Sequence, residues 1–311
     1  MRVLVELPTW LGDAVMATPA IEILVKSFND LEITIIGSVA SIEVLKNHPN
    51  VTETHVLNKK YISIFILARN LGRFDKFFSF RSSSRSKVLK ALIRSKKKFQ
   101  FTHSNYLQMH QVEKYNAFVN QSINTNFESK NLKVYSDKLS PQISIDSKKT
   151  LGINPGASYG SAKRWYPEEF AEVASKLAQE YDVLILGALS ELEIADEIER
   201  FLKDKGIKNY KNLAGKTSLQ ELIKLISSLN LFITGDSGPM HLAASFKVPT
   251  VAIFGPTNDK ETSQYKFNKG LVVKAKLDCQ PCMKRSCPLN HHNCMKFITA
   301  DDVIDAVKKI S

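Results

Sequence analysis

Residues 231–254 constrain the fold more than any other stretch of this chain. Leu231–Thr234 is a short apolar run that reads as a buried strand. Asp236, Ser237 and Gly238 form a turn, and Pro239 suits the first helical position, where its missing N–H costs nothing. A helix near 239–246 follows, with His241 in its first turn, and Val248–Phe254 is the next strand. Consecutive buried strands joined by a helix lie parallel in a sheet that helices cover. A helix starting at the carboxyl end of a strand presents free N–H groups and a positive dipole end, which suits a phosphate. Gly238 lets the backbone come close, and Asp236, Ser237 and His241 are placed to hydrogen-bond a sugar. The plainer alternative is that Asp236 and Ser237 cap the helix while His241 packs.

Leu151–Phe170 carries a second block. A strand, Leu151–Asn154, runs into a Gly/Ser/Ala loop containing Gly156 and Ser158 and ending in Lys163 and Arg164; Pro167 then opens a helix. Backbone N–H groups and hydroxyls on one side, with a point charge on the other, make a sensible diphosphate holder. A third block stands at the N-terminus, where Val3–Leu7 is a strand and Pro8–Gly12 a turn. Asp13 sits near the N-cap of the following helix, either as a cap or as a carboxylate facing a cleft and able to act as a general base.

Strand and helix alternate twice along the chain. The first set has strands near 2–7, 32–36, 54–57, 76–80 and 98–101, with helices near 14–28, 39–47, 61–71 and 84–94. The second has strands near 150–154, 182–187, 231–234, 250–254 and 271–274, with helices near 167–180, 190–204, 218–228 and 239–246. Thr217 and Gln220 have capping-box spacing for the helix at 218. The polar stretch Asn120–Lys149 reads as a linker.

The motifs P-T-W-L-G-D at 8–13, N-P-G-A-S-Y-G-S-A-K-R-W at 154–165, N-L-A-G-K-T-S-L at 212–219 and G-D-S-G-P-M-H-L-A-A at 235–244 together resemble the ADP-heptose:lipopolysaccharide heptosyltransferases. The A-K-R-W form is more similar to the heptosyltransferase II branch than to heptosyltransferase I. The resemblance implies an α/β chain of GT-B type, two Rossmann-like doubly wound parallel-sheet domains facing a central cleft. The expected domains are 1–145, binding the acceptor, and 146–311, binding ADP-heptose, with a final helix near 300–310 packing back on the first domain. It implies an inverting transfer of heptose from ADP-heptose to a Kdo-lipid A inner core, most like addition of the second heptose.

In that scheme Asp13 deprotonates the acceptor hydroxyl. The diphosphate lies between the helix start at Gly238 and the Gly156–Ser158 loop with Lys163, which stabilises the leaving ADP, and Arg164 assists. Asp236, Ser237 and His241 hold the heptose or its phosphate. Thr217, with Leu213 and Gly215, lines the adenine pocket, and Glu191 or Glu193 takes the ribose hydroxyls. Gly12 shapes the acceptor side.

The net charge is +12, and between Lys59 and Lys98 thirteen Lys or Arg face one acid, Asp75. Such a one-sided run implies an anionic partner. Arg81, Ser82, Ser83, Ser84 and Arg85 are the candidates for acceptor phosphates, and the anionic inner leaflet is the expected surface. The interleaved Phe65, Phe74, Phe77, Phe78 and Phe80 have core-like spacing, which disfavours a nucleic-acid stacking platform. No secretory signal is expected, because Pro8, Gly12 and Asp13 interrupt the apolar start. The longest apolar run, Tyr61–Ala68, falls far short of the roughly 20 residues that span a bilayer. The expected location is cytoplasmic, peripheral on the inner membrane.

Cys279, Cys282, Cys287 and Cys294 are spaced C-x2-C-x4-C-x6-C; reduced thiols are the expected state and a structural metal the minority reading. No Asp-x-Asp pair stands where it could hold a divalent cation, so no catalytic metal or cofactor is expected. The rival readings are heptosyltransferase I, another GT-B nucleotide-sugar enzyme with a different donor and, remotely, a basic nucleic-acid-binding protein with a cysteine knuckle.

Overall fold

A computed structural model describes residues 1–58, 60–128, 130–136, 148–157 and 159–310. Contacts divide the chain into two compact units, Met1–Tyr135 and Ser136–Ser311. The expected boundary at 145/146 lies outside the described residues.

The first unit runs β1 (Arg2–Glu6), α1 (Leu11–Met16), α2 (Thr18–Ser27), β2 (Glu32–Gly37), α3 (Val39–Leu45), β3 (Val51–Val56), α4 (Tyr61–Asn70), β4 (Arg73–Ser79), α5 (Ser84–Leu92), β5 (Arg94–Gln100) and α6 (Gln111–Ile123). Among the described residues its strands form one parallel sheet, in the order β3-β2-β1-β4-β5. The order reverses beside β1, so β1 and β4 flank the switch point, where the carboxyl ends of an open α/β sheet leave a crevice for ligands. Leu4, Phe74 and Phe77 cluster with Ile64 and Ala68 of α4 and Leu89 of α5. Phe78 and Phe80 instead meet α6, where the Phe118 ring lies 5.5 Å from Phe80.

The helix expected over 14–28 is two helices. Thr18 and Pro19 open α2 after Ala17, and proline cannot donate into a continuing helical ladder. α6 was not expected; it begins before the stretch Asn120–Lys149 read as a linker and runs into that stretch as far as Ile123. Val112, Tyr115, Phe118 and Val119 recur at helical spacing and are buried, His110 caps the start, and Asn124 ends the helix in the left-handed region at φ 56°. Phe65, expected in the core with the other phenylalanines, is instead 52% exposed.

The second unit runs β6 (Lys149–Asn154), α7 (Pro167–Leu177), β7 (Tyr181–Ile185), α8 (Leu192–Asp204), β8 (Tyr210–Asn212), α9 (Leu219–Ser228), β9 (Leu231–Gly235), α10 (Gly238–Ser245), β10 (Thr250–Phe254), α11 (Asp259–Thr262), β11 (Gly270–Lys274), α12 (Asn293–Lys296) and α13 (Ala300–Lys308). Its parallel sheet is ordered β11-β10-β9-β6-β7-β8, with the switch point between β6 and β9. The short edge strand β8 was not expected from the sequence. The final helix, expected to pack back on the first domain, buries Val303, Ala306 and Val307 in the core of its own unit, against α7, β10 and β11. The capping box of α9 is Ser218 with Glu221, one residue beyond the expected Thr217 and Gln220.

Candidate functional site

In the second unit, Asn154 of β6 pairs in register with Thr234 of β9. The loop after β6 and the turn after β9 therefore emerge side by side at the switch point. Lys163, on the first, reaches Asp236, on the second: its Nζ lies 2.5 Å from Asp236 Oδ2 and 3.3 Å from the Asp236 carbonyl. Thr257 Oγ1 donates to the same carboxylate oxygen at 2.6 Å. Asp236 is thus buried, and its Oδ2 takes both donors, which holds the Lys163 ammonium in place.

No side chain caps α10. Ser237 occupies the N-cap by its backbone, but its hydroxyl pairs with Thr234 Oγ1 at 3.0 Å. The capping alternative therefore fails for Asp236 and Ser237, and the uncapped helix start beside Lys163 has the character of an anion site. Gly238 begins that helix, and His241 is buried in its first turn.

The other donor-side candidates stand along the same sheet edge. Glu191 follows β7 and Leu213–Thr217 follows β8, so β9, β6, β7 and β8 deliver their loops in spatial order. Neighbouring strands lie roughly 4.8 Å apart, and three gaps span about 14 Å, the reach of an extended nucleoside diphosphate. Of the two glutamates considered for the ribose, Glu191 is buried and Glu193 exposed on α8. The Glu191 carboxylate accepts from Ala188 N–H at 2.8 Å and occupies the space that a Cβ on Gly156 would need. Gly156 is therefore required by a partner 35 positions away in the chain. Gly215 adopts φ 67° on the β8 loop, and its N–H meets the Gly187 carbonyl at 2.9 Å. Thr217 is half-buried just before the Ser218 cap, and Arg164 is exposed. Ser158 lies outside the described residues.

The cysteine-rich segment braces the Lys163 loop. Tyr159 OH donates to the Met283 carbonyl at 2.9 Å, and Ala162 N–H to the Arg285 carbonyl at 3.1 Å. Gly160 admits that carbonyl where a side chain would collide with it. His292 bonds the Ala162 carbonyl at 3.0 Å and the Tyr166 hydroxyl at 2.9 Å, and buried Trp165 donates to the Ile298 carbonyl at 2.9 Å. Lys163 Nζ and the Arg285 guanidinium both lie over the Tyr159 ring, 4.7 and 5.2 Å from its centroid. Tyr159, Thr257, Arg285 and His292 were missed in the sequence, where nothing local marks them as neighbours of Lys163.

The four cysteines are free thiols. Backbone N–H groups of His292, Leu289, His291 and Asn290 lower the Cys287 pKa, whereas burial, then the charges of Cys287, Cys282 and Cys279, push Cys294 up to about 11. Among the described residues no three His, Cys, Asp or Glu side chains group so as to hold a metal ion.

In the first unit, Asp13 lies in the first turn of α1, whose N-cap is Trp10 rather than Asp13. Gly12 is buried beside it. Tyr115 of α6, fully buried, has its hydroxyl pKa raised by burial and then by the negative charge of Asp13. Across the switch point, Ser79 ends β4 opposite Glu6 of β1. Glu6 is wholly buried; Ser79 Oγ donates to it at 2.5 Å and Ser86 Oγ at 2.8 Å, while Arg81 Nη1 lies 3.7 Å away. Burial raises the Glu6 pKa, against the pull of those hydroxyls, Arg81 and Arg85. Arg81 and Arg85, the expected acceptor contacts, thus share one buried acid. Ser83 is the N-cap of α5, its hydroxyl accepting from Ser86 N–H at 3.3 Å, so a helix occupies the hydroxyl expected on an acceptor phosphate.

Comparison with known proteins places these motifs in context. A match to glycosyltransferase family 9 (heptosyltransferase) spans residues 77–293. The chain is 42% identical over 315 residues to lipooligosaccharide heptosyltransferase 2 of Campylobacter jejuni subsp. jejuni serotype O:2, covering 100% of this chain and 98% of that one. It is similar in fold to the crystal structure of a family 9 glycosyltransferase from Veillonella parvula, with a TM-score of 0.82, 24% identity, and 99% and 96% of the two chains covered. It is also similar in fold to the Escherichia coli ADP-heptose heptosyltransferase II, with a TM-score of 0.81, 22% identity, and 100% and 98% covered.

Proposed function

Because this chain belongs to glycosyltransferase family 9, the heptosyltransferases, we propose that it moves L-glycero-D-manno-heptose from ADP-heptose to the lipopolysaccharide inner core, adding the second heptose to heptosyl-Kdo-lipid A. The observation that carries this reading is the switch point of the second unit, where Lys163 and Asp236 meet beside the uncapped start of α10. The Campylobacter relative, a heptosyltransferase 2 over the full length, supports the choice of the second heptose.

The donor diphosphate sits at the α10 N-terminus against Lys163, with Gly156 and Gly238 allowing close backbone approach. Arg164 and Arg285 add to this anion site, and Ser158, expected there from the sequence, lies outside the described residues. Glu191 takes the ribose, and Leu213, Gly215 and Thr217 face the adenine. Ser237 and His241 lie toward the heptose. In the transfer, the acceptor hydroxyl attacks the anomeric carbon as Asp13 takes its proton. The carbon–oxygen bond to the diphosphate breaks, ADP departs with the electron pair, and configuration inverts. Fixed cations and helix N–H groups stabilise that departing charge without reorganising. Gly12, Ser83, Arg81 and Arg85 stand on the acceptor side, the two arginines as phosphate partners. The enzyme works in the cytoplasm at the inner face of the inner membrane, and the chemistry needs no metal.

Calorimetric titration with ADP, UDP and GDP tests the donor half of this reading. The proposal expects ADP alone to bind tightly. Preference for UDP or GDP would leave a GT-B nucleotide-sugar enzyme with a different donor.

A further inference from the structure

α4 carries apolar side chains well beyond the side it buries. Ile64 and Ala68 are buried in the core of the first unit with Leu71 just beyond. On the opposite arc, Tyr61, Ile62, Phe65 and Ile66 are 57%, 68%, 52% and 53% exposed. At 100° per residue these four positions and Arg69 fall within a continuous arc of roughly 140°. Scattered exposed apolar side chains are ordinary, but four on one stripe of a helix mark an interaction surface. Helices with two apolar faces are otherwise buried or lie in lipid.

The surroundings of this face are cationic. Lys60 and Arg69 flank it, and α5, packed alongside, turns Lys87 and Val88 outward. The one acid between residues 59 and 98, Asp75, is held by Lys96 at 2.7 Å. The start of α4 follows the carboxyl end of β3, so it shares a sheet edge with Asp13 and Arg81.

We propose that the outward face of α4 is a membrane-docking surface for an anionic bilayer, with Tyr61, Ile62, Phe65 and Ile66 seated among the headgroups and Lys60, Arg69 and Lys87 on acidic lipid. Apolar side chains combined with nearby cations are the two signals that together hold a peripheral protein on a bilayer. Pairing with a second copy is disfavoured, since it would press two cationic rims together. The proposal rests on the lipid-linked acceptor of the preceding section: docking by this helix presents the sheet edge bearing Asp13 and Arg81 to a substrate anchored in the same leaflet.

Vesicle co-sedimentation of the whole chain tests it, using phosphatidylcholine alone and phosphatidylcholine with about a third phosphatidylglycerol, where anionic lipid is the attracting field. The wild type should bind only the anionic vesicles. Ile62→Ser with Phe65→Ser should lower the partition coefficient by about tenfold or more, and Lys87→Glu by roughly fivefold or more. Both variants should keep the wild-type circular dichroism and the wild-type rate on a deacylated, water-soluble acceptor. No binding by the wild type, or equal binding by the serine variant, overturns the proposal. So does a wild-type dimer, seen by sedimentation equilibrium, that the serine variant abolishes. Vesicle binding without transfer to any acceptor would sink the transferase reading and leave the docking surface standing; transfer without vesicle binding would do the reverse.

Discussion

Lys163 donates to the Asp236 carboxylate at 2.5 Å, tying the loop after β6 to the turn after β9. This contact fixes a cation beside the open N-terminus of α10 before any donor arrives. Preorganised charge of this kind contributes most where negative charge develops on a leaving group.

Lys163→Ala should therefore damage both binding and turnover. A hydrogen bond to a charged group is worth about 1.5–3 kcal/mol, so the Kd for ADP should rise roughly 10–150-fold, with kcat falling as well. Calorimetry and initial rates check both. A variant with normal ADP affinity would remove Lys163 from the diphosphate site.

Asp13→Asn separates chemistry from binding. Asp13 belongs to the first unit and the donor residues to the second. Loss of a general base should lower kcat by on the order of 10²–10⁴, with donor affinity unchanged. Weakened donor binding with normal turnover would refute that division.

Much of this arrangement was legible because it is local. The apolar run 231–234, the G-D-S-G-P turn and the run 248–254 fix a strand, a helix and a strand whatever surrounds them. Lys163 and Asp236 were each readable as ligand groups, but their pairing was not, since 73 residues separate them. The bracing of Tyr159 and Gly160 by Met283 and Arg285 has no local mark at all, because glycine at 160 looks like any loop glycine until the Arg285 carbonyl is placed against it. α6 was hidden for a different reason. Its polar residues, Gln111, Glu113, Asn116 and Asn120, run into the polar tail that follows, and composition outweighed the period of Val112, Tyr115, Phe118 and Val119. Phe65 was misplaced because spacing cannot distinguish a core-facing ring from one on the outer arc of an apolar helix.

The buried Glu6 makes stability depend on pH in a defined sense. Its pKa is raised, so the folded protein holds that proton more tightly than the unfolded chain does. The resulting stability is complete below the unfolded glutamate pKa and is lost as pH rises through the folded value. Glu6→Gln removes this loss. At neutral pH its Tm should exceed that of the wild type by about 2–4 °C, corresponding to roughly 1 kcal/mol, and the two should converge near pH 4. Thermal melts across that range would contradict the account if the variant were the less stable at neutral pH.

The cysteines should differ in reactivity. Cys287, half-buried with its pKa lowered by surrounding N–H groups, should be alkylated by iodoacetamide at neutral pH well before Cys294, which is buried and pushed up to about 11. Peptide mass mapping over a time course decides it, and faster labelling of Cys294 would disprove the ordering.

The most direct measurement is product mass after incubating the protein with ADP-heptose, EDTA and either Kdo-lipid A or heptosyl-Kdo-lipid A. The account predicts a gain of one heptose on the heptosylated acceptor alone. A gain on Kdo-lipid A would make this a heptosyltransferase I, and no gain on either, with ADP still bound, would contradict the proposed transfer.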